Sequence, residues 1–413
     1  MPNLPLWTPS NERIANANLT RFARGVEARA GRALDDFGAL WRWSIDDIEG
    51  FWQAMWQFGG VIATTAPSHT LVDGAKMPGA RFFDDATLNF AQNLLERKAA
   101  DDARDSIVFR GEDKVAQRYS HAQLTASVSR FAQALVAHGI TAGDRVAAFL
   151  PNMPEAVIAM LAACSRGAVW SSCSPDFGVQ GVVDRFGQIA PRVLVTVDGY
   201  WYNGKPISII DKLRDIVAQL PTLEKVVVVR YLDGGDDFGT VRNAIGWDAF
   251  VEDFPAAPIE YVPMPFNAPL YILYSSGTTG VPKCIVHGAG GTLLQHLKEH
   301  QLHGDVMPGD RLFYFTTCGW MMWNWLVSGL AAGATLMLYD GSPFVQRGRC
   351  LWDYAEAEHF THFGTSAKYI DALKKIAQVP RKDFALPALR TVFSTGSPLS
   401  PESFDYVYQC IKD

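Results

Sequence analysis

The chain has 413 residues, of which 48% are hydrophobic and 19% charged, enough apolar material for large cores and too much for disorder. That length predicts two or three domains. A net charge of −6 with no Lys/Arg-dense face excludes nucleic acid as the expected partner, and six cysteines with no C-x-x-C pair read as reduced core residues of a cytoplasmic protein.

Residues 1 to about 105 are irregular and aromatic. Phe22, Trp41, Trp43, Phe51, Trp52, Trp56 and Phe58 predict helices packed on a larger body. Ser44-Ile45-Asp46-Asp47 reads as a capping box for one of them. The arginines at 21, 24, 29 and 32 are interspersed with Glu27, Asp35 and Asp36, which reads as a solvated helix face. No charged head followed by an apolar run opens the chain, so no signal peptide is expected. From Ser106 the pattern changes. Residues 107–109 and 115–119 read as a hairpin, followed by a helix with Ser120 and Gln123 as its capping box and Gly139 past its end. Strands at 146–150, 168–171, 193–197 and 226–229 then alternate with helices at 154–165, 179–189 and 209–220. This order predicts a parallel sheet with helices on both faces.

A polar break at Asp233-Gly234-Gly235-Asp236-Asp237 and the Pro-rich stretch 254–266 mark a subdomain boundary. Alternation then restarts, with strands at 271–274, 311–315, 335–339, 361–363 and 390–394 and helices at 290–302, 321–331, 366–377 and 401–411. The expected fold is α/β: two tandem doubly wound, mainly parallel sheets flanked by helices. The expected division is a packing segment at 1–105, a first subdomain at 106–266 and a second at 267–413. Between Leu312 and Tyr339 there is no charged residue. About 20 apolar residues cross a bilayer. Here Thr316, Thr317, Asn324 and Ser328 interrupt the run, so it reads as buried strand, loop, helix and strand, with no membrane span.

The chemistry concentrates in Tyr271-Ile272-Leu273-Tyr274-Ser275-Ser276-Gly277-Thr278-Thr279-Gly280-Val281-Pro282-Lys283. An apolar strand gives way to hydroxyls and glycines. Gly277 and Gly280 permit positive φ and close backbone approach. Successive N–H groups in such a loop point into one concavity and bind anions. Ser275, Ser276, Thr278 and Thr279 add donors, and Lys283 adds a point charge, so the loop suits a polyphosphate. It is not a Walker A loop, because Pro282 stands where the second glycine belongs. Pro282 also forbids a helix running straight out of the loop. Ligands of doubly wound sheets bind outside the carboxyl ends of the strands. Ser394-Thr395-Gly396-Ser397-Pro398 lies at a second such end, and the two loops are expected to face one crevice.

The run from Tyr274 to Lys283 resembles the phosphate loop of the adenylate-forming enzymes: acyl-CoA synthetases, adenylation domains of peptide synthetases, and luciferases. Three further stretches extend the resemblance almost from end to end: Trp170–Gly178, Thr316–Trp325 and Ser394–Leu399. The first two of these are similar to the branch that acts on acetoacetate rather than acetate. The resemblance implies a ligase that uses Mg2+-ATP to form an acyl-adenylate and then acylates coenzyme A. It implies Thr278 and Lys283 as catalytic residues, and Ser275 through Gly280 with Lys283 on the phosphates. Gly396, Ser397 and Pro398 would lie at the adenine, where acetyl enzymes carry Glu in place of Ser397. Trp320, Met321, Met322 and Thr395 would line the acyl pocket, with Thr395 or Asn324 donating to the 3-oxo group. Arg185, Tyr202 and Lys205 fall at coenzyme A positions, where Tyr202 and Lys205 replace two arginines of the acetyl enzymes. The family's C-terminal motifs and small C-terminal domain are missing, so the chain reads as part of a longer synthetase. The other readings left open are a short-chain synthetase of different specificity and a non-catalytic nucleotide-binding fragment.

Rival constellations are weaker. Taken alone, Trp320-Met321-Met322-Trp323 reads as core filling. His296 and His300 share a helix face with His303 one turn on, but no H-E-x-x-H occurs, so they read as solvated helix histidines, and His359 and His362 likewise. No metal site is expected. Neither a G-x-S-x-G elbow nor a G-x-G-x-x-G after a strand is present.

Overall fold

A computed structural model describes residues 5–31, 33–96, 102–232, 237–275 and 280–412. Arg32, residues 233–236 of the polar break, and Ser276, Gly277, Thr278 and Thr279 lie outside the described residues.

The N-terminal helices α1 (Asn18–Ala30), α2 (Phe37–Asp46) and α3 (Ile48–Phe58) close around Phe22, which meets the rings of Phe51 and Phe58 edge-on at 5.8 and 5.4 Å. Arg21, Arg24 and Arg29 are exposed, as a solvated face requires. The capping box at Ser44 does not form. Ser44 lies inside α2 and its hydroxyl donates to Trp41 O at 2.7 Å, while Asp47, at φ −122° and ψ 71°, caps α3 by accepting from Gly50 N at 2.9 Å. The chain is already non-helical at Asp47, so its carboxylate takes the role.

Two sheets follow. The elements in chain order are β1 (Asp105–Gly111), β2 (Val115–Ser120), α4 (His121–Ala137), β3 (Arg145–Phe149), α5 (Pro154–Ser165), β4 (Val169–Cys173), α6 (Val179–Ile189), β5 (Val193–Val197), the hairpin β6 (Gly199–Tyr202) and β7 (Lys205–Ser208), α7 (Ile210–Ala218), β8 (Lys225–Val229) and β9 (Ala244–Gly246). After them come β10 (Pro269–Ser275), β11 (Lys283–Gly288), α8 (Ala289–Lys298), β12 (Arg311–Tyr314), α9 (Met321–Val327), β13 (Thr335–Asp340), α10 (Cys350–Ala357), β14 (His362–Ser366), α11 (Ala367–Lys375), β15 (Thr391–Thr395) and α12 (Pro401–Tyr406). The capping box of α4 forms as expected from Ser120 and Gln123. Strand β9, a short helix at Trp247–Val251 and α10 have no counterpart in the sequence reading. No described helix is long and apolar enough to cross a membrane.

The seven-stranded sheet runs β9-β8-β5-β3-β4-β10-β11, and the six-stranded sheet runs β15-β14-β12-β13-β1-β2. Neighbours pair in parallel except at the two hairpins, β10–β11 and β1–β2. The order corrects the expected division at 266/267. Hairpin β1–β2 joins the second sheet beside β13, and the strand leading into the phosphate loop is in the first sheet beside β4. Each sheet borrows strands across the boundary, because a short apolar strand carries no mark of which sheet it will join. Crossovers β3-α5-β4 and β4-α6-β5 move in opposite directions along the sheet, and right-handed connections then place α5 and α6 on opposite faces. Helix α5 is buried along all 12 residues, Glu155 included, and burial pushes that carboxyl up to about 7.

The sheets are tied near Glu112, in the tight turn after β1. Its carboxylate accepts from Asn203 N at 2.6 Å and Gly204 N at 2.7 Å in the β6–β7 turn, and from Ser342 N at 2.8 Å after β13. Gly341 sits at φ +118°, and a Cβ there would meet the Glu112 side chain at 2.2 Å. Replacing Glu112 with Ala leaves the buried Ser342 N–H without its acceptor and opens the exposed Asn203 and Gly204 N–H groups to water, so we expect a loss of about 1–3 kcal/mol of stability in denaturant unfolding. A loss within experimental error of zero would contradict this reading of the turn.

Candidate active site

The strand entering the phosphate loop, β10, is buried through Tyr271, Ile272 and Leu273 and half-buried at Tyr274 and Ser275. It returns as β11, with Ser275 paired to Lys283 and Tyr274 to Cys284. The chain thus leaves the loop as a strand and not as a helix, as Pro282 requires. Gly280 adopts φ +91° with open space around it, and Lys283 is exposed. From the other side Gln188 of α6 donates to Pro282 O at 2.8 Å and anchors the loop's exit.

The stretch 170–178 lies beside this strand. Ser171 Oγ reaches Ile272 O at 2.9 Å and Tyr274 Oη at 3.0 Å. The Arg185 guanidinium lies 4.8 Å from the Phe177 ring centre and 5.8 Å from that of Tyr274. Onto the same place folds the loop that follows β12 in the other sheet. Ser172 Oγ donates to Cys318 O at 2.7 Å, Cys318 Sγ lies 3.2 Å from Pro151 O, and Trp323 Nε1 donates to Asn152 Oδ1 at 3.0 Å. The Trp170 and Trp323 rings stack at 6.4 Å.

On its far side the segment 316–325 meets the last strand. Trp325 packs edge-on against Phe393 of β15 at 5.5 Å. Between them opens a cavity of about 530 Å³ whose lining includes Met321, Met322, Thr395, Tyr314 and His296. Trp320 is 60% exposed and Met321 46%, so core filling describes Trp323 and in part Met322, which packs against the core, and not Trp320 or Met321. Gly396, at φ +91°, Ser397 and Pro398 are exposed at the rim of β15. Asn324, expected to reach the acid, is fully buried. Both amide atoms are sealed off without partners among the described residues, and it is absent from the cavity lining.

Tyr202 and Lys205 flank the β6–β7 turn and pair with each other across it, while the Arg185 guanidinium lies against Phe177 and Tyr274. The turn's N–H groups are already taken by Glu112, so any anion there would meet side chains only.

The histidines overturn their expected solvation. His296 and His300 are 7% and 0% exposed and His362 is 0% exposed, while His303 and His359 do face solvent. His296 Nδ1 lies 2.7 Å from Ser328 Oγ, and His300 Nε2 lies 2.8 Å from Trp325 O. Burial drives the His296 and His300 rings down to about 3, so they are neutral at physiological pH. The helical spacing was visible in the sequence. The apolar segment that covers it, Leu326 to Ala332, is remote in the chain and gave no sign of packing there.

Among the described residues one group has metal-ligand spacing, His69, Asp84 and Asp85, and these side chains are already paired with one another at the surface.

A histidine whose folded pKa is depressed gives stability that is present above its unfolded value near 6.5 and lost as pH falls from there toward 3. For His300 the slope is about 1.4 kcal/mol per pH unit. A His300→Gln variant should therefore lose less stability between pH 6.5 and 5 than the unaltered protein does. Equal acid slopes in calorimetry would refute a neutral buried His300.

Comparison with known proteins places this geometry. The model of the AMP-binding enzyme family matches residues 95–413, and that of the acetyl-coenzyme A synthetase N-terminus matches residues 37–94. The chain is 54% identical over 413 residues to an acetoacetyl-coenzyme A synthetase of Rhizobium meliloti (strain 1021), covering 99% of this chain and 62% of that protein. It is 39% identical over 436 residues to a malonamoyl-CoA synthetase of Penicillium aethiopicum, covering 98% of this chain and 59% of that protein. The solved structure of acetoacetyl-CoA synthetase from Streptomyces lividans superposes with a TM-score of 0.93 at 41% identity, over 98% of this chain and 62% of that one. The chain thus spans about three fifths of the length of these relatives.

Proposed function

The chain belongs to the AMP-binding enzyme family, and we propose that it carries the nucleotide- and acid-binding part of an ATP-dependent acid–thiol ligase acting on acetoacetate. In the first half-reaction a carboxylate oxygen attacks the α-phosphorus of ATP, the bond to the β-phosphate oxygen breaks, and pyrophosphate leaves. In the second, the sulfur of coenzyme A attacks the acyl carbon and AMP leaves.

The observation that carries this reading is the convergence of four separated stretches. Segment 316–325 is held to Pro151, Asn152 and Ser172 on one side and packs on Phe393 on the other. The loop 275–283 follows β10 on the first side, and 394–398 follows β15 on the second. Ser275 to Gly280 and Lys283 would hold the phosphates, with Thr278 and Lys283 stabilising charge as it moves onto pyrophosphate. Mg2+, bound with the nucleotide, would neutralise part of the phosphate charge. Gly396, Ser397 and Pro398 would border the adenine. Trp320, Met321, Met322 and Thr395 would wall the acid, the methionines adapting to a short chain. Arg185 is assigned to coenzyme A, with Tyr202 and Lys205 as further contacts. The free cysteines, most of them buried, fit action in the reducing cytoplasm.

Acetoacetate-dependent exchange of pyrophosphate into ATP, measured on the complete natural protein, tests this. Lys283→Ala should lower the exchange rate about a hundredfold. Gly280→Val puts a β-branched side chain at φ +91° and should weaken the nucleotide's thermal stabilisation of the protein. Nucleotide binding without exchange would favour a non-catalytic role instead, and unchanged exchange in the lysine variant would remove the loop from the chemistry.

A further inference from the structure

Four features of the acid cavity bear on what its walls can read. Met321 and Met322 are apolar at their tips and cannot tell a ketone from a methylene, while Trp325 packs its ring on Phe393 and His300. Asn324 is sealed behind them. Thr395 is at the exposed rim. His296 is a buried polar side chain of the lining, 7% exposed and rooted in α8; the hydroxyl of Tyr314, the other, donates to Thr365 O at 3.2 Å.

One edge of the His296 ring is fixed. Nδ1 lies 2.7 Å from Ser328 Oγ, and Ser328 Oγ lies 3.0 Å from Asn324 O one helical turn back. The hydroxyl has one hydrogen for two acceptors. If it serves Asn324 O, Nδ1 must carry the ring proton, and Nε2 is a bare acceptor. If it turns to Nδ1, the ring proton sits on Nε2, which is then a donor. Nε2 bonds no described residue, and it is not among the buried unpartnered atoms, so it is the ring atom left for the cavity.

We propose that His296 is a specificity-determining residue of the acid pocket, donating from Nε2–H to the 3-oxo group of the bound acid, with the Ser328 hydroxyl turned onto Nδ1 to hold that tautomer. This rests on the acid–thiol ligase reading above. No charge is needed: a neutral imidazole in a half-apolar pocket can pair a ketone oxygen without burying a cation. An acid that lacks the oxygen leaves Nε2 unpaired, which is the stronger source of discrimination. The Ser328 hydroxyl moves its bond from Asn324 O to Nδ1, and the ring exchanges its Nδ1 proton for one on Nε2 through water in the open cavity, so the proton count is unchanged.

The test compares kcat/KM for acetoacetate and for butyrate, its deoxy analogue, in the complete natural enzyme. His296→Met keeps volume and removes the donor. It should lower the acetoacetate/butyrate ratio about tenfold, with the butyrate value rising as the donor that butyrate leaves unpaired is removed. His296→Gln, which returns an amide donor near Nε2, should recover part of the ratio. Ser328→Ala, which frees the tautomer, should lower the ratio less than His296→Met does. If His296→Met does not fold, Ser328→Ala decides: an unchanged ratio in that variant overturns the proposal. Equal losses for both acids in His296→Met make the residue a packing element and also overturn it. Failure of the unaltered enzyme to form acetoacetyl-CoA would instead sink the ligase reading, and is seen before any variant is made.

Discussion

Three buried hydrogen bonds hold segment 316–323 of one sheet on the strand ends of the other: Ser172 to Cys318, Cys318 to Pro151 and Trp323 to Asn152. Each is worth about 1 kcal/mol net, but each joins groups that would cost more if left unpaired in a dry place. Everything at the candidate site depends on them. Without this bridge the loop after β10 and the loop after β15 would belong to separate sheets with no common wall. With it, the Met321–Met322 face is fixed relative to both.

The alternation of strands and helices was legible because buried parallel strands are short apolar runs and the helices between them, the fully buried α5 apart, keep a 3.6-residue period. The loop proposed to hold phosphate stood out by composition, since hydroxyls, glycines and a lysine after an apolar strand suit an anion. Sheet membership was not. The hairpin at 105–120 and the strand at 269–275 each joined the sheet that the linear division assigned to the other half. Pairing partners are set by crossover geometry and by which edge is free, and neither leaves a local pattern. The histidines on α8 and just beyond it were misjudged for a related reason. Their burial comes from Trp325 and Ser328, residues distant in sequence that only the fold brings over the helix. In the same way Asn324 looked available and is sealed, while His296 looked solvated and lines the cavity.

A second theme is the number of ionisable groups near the junction of the sheets whose charged forms burial disfavours. Burial raises Asp340 to about 7, and Tyr231 Oη donates to its carboxylate at 3.1 Å. Burial raises Glu155 to about 7 as well, and lowers His296 and His300 to about 3. The acids bind more protons folded than unfolded, so their share of stability is lost as pH rises from near 4 through 7. The histidines lose theirs as pH falls below 6.5. The two sets oppose each other across the same range, which flattens the dependence of the folded state's stability on pH.

The central claim is that the bridge at Trp323 and Asn152 aligns the acid wall with the phosphate loop. It is tested most directly by a double-mutant cycle, Trp323→Phe and Asn152→Ala, read as kcat/KM in acetoacetate-dependent pyrophosphate exchange at matched folded fraction. Each single variant should lower kcat/KM, and the double variant should fall little below the worse of the two, a coupling of about 1 kcal/mol. Singles that leave kcat/KM unchanged while lowering stability, or losses that simply add, would contradict the claim and leave the bridge a structural tie alone.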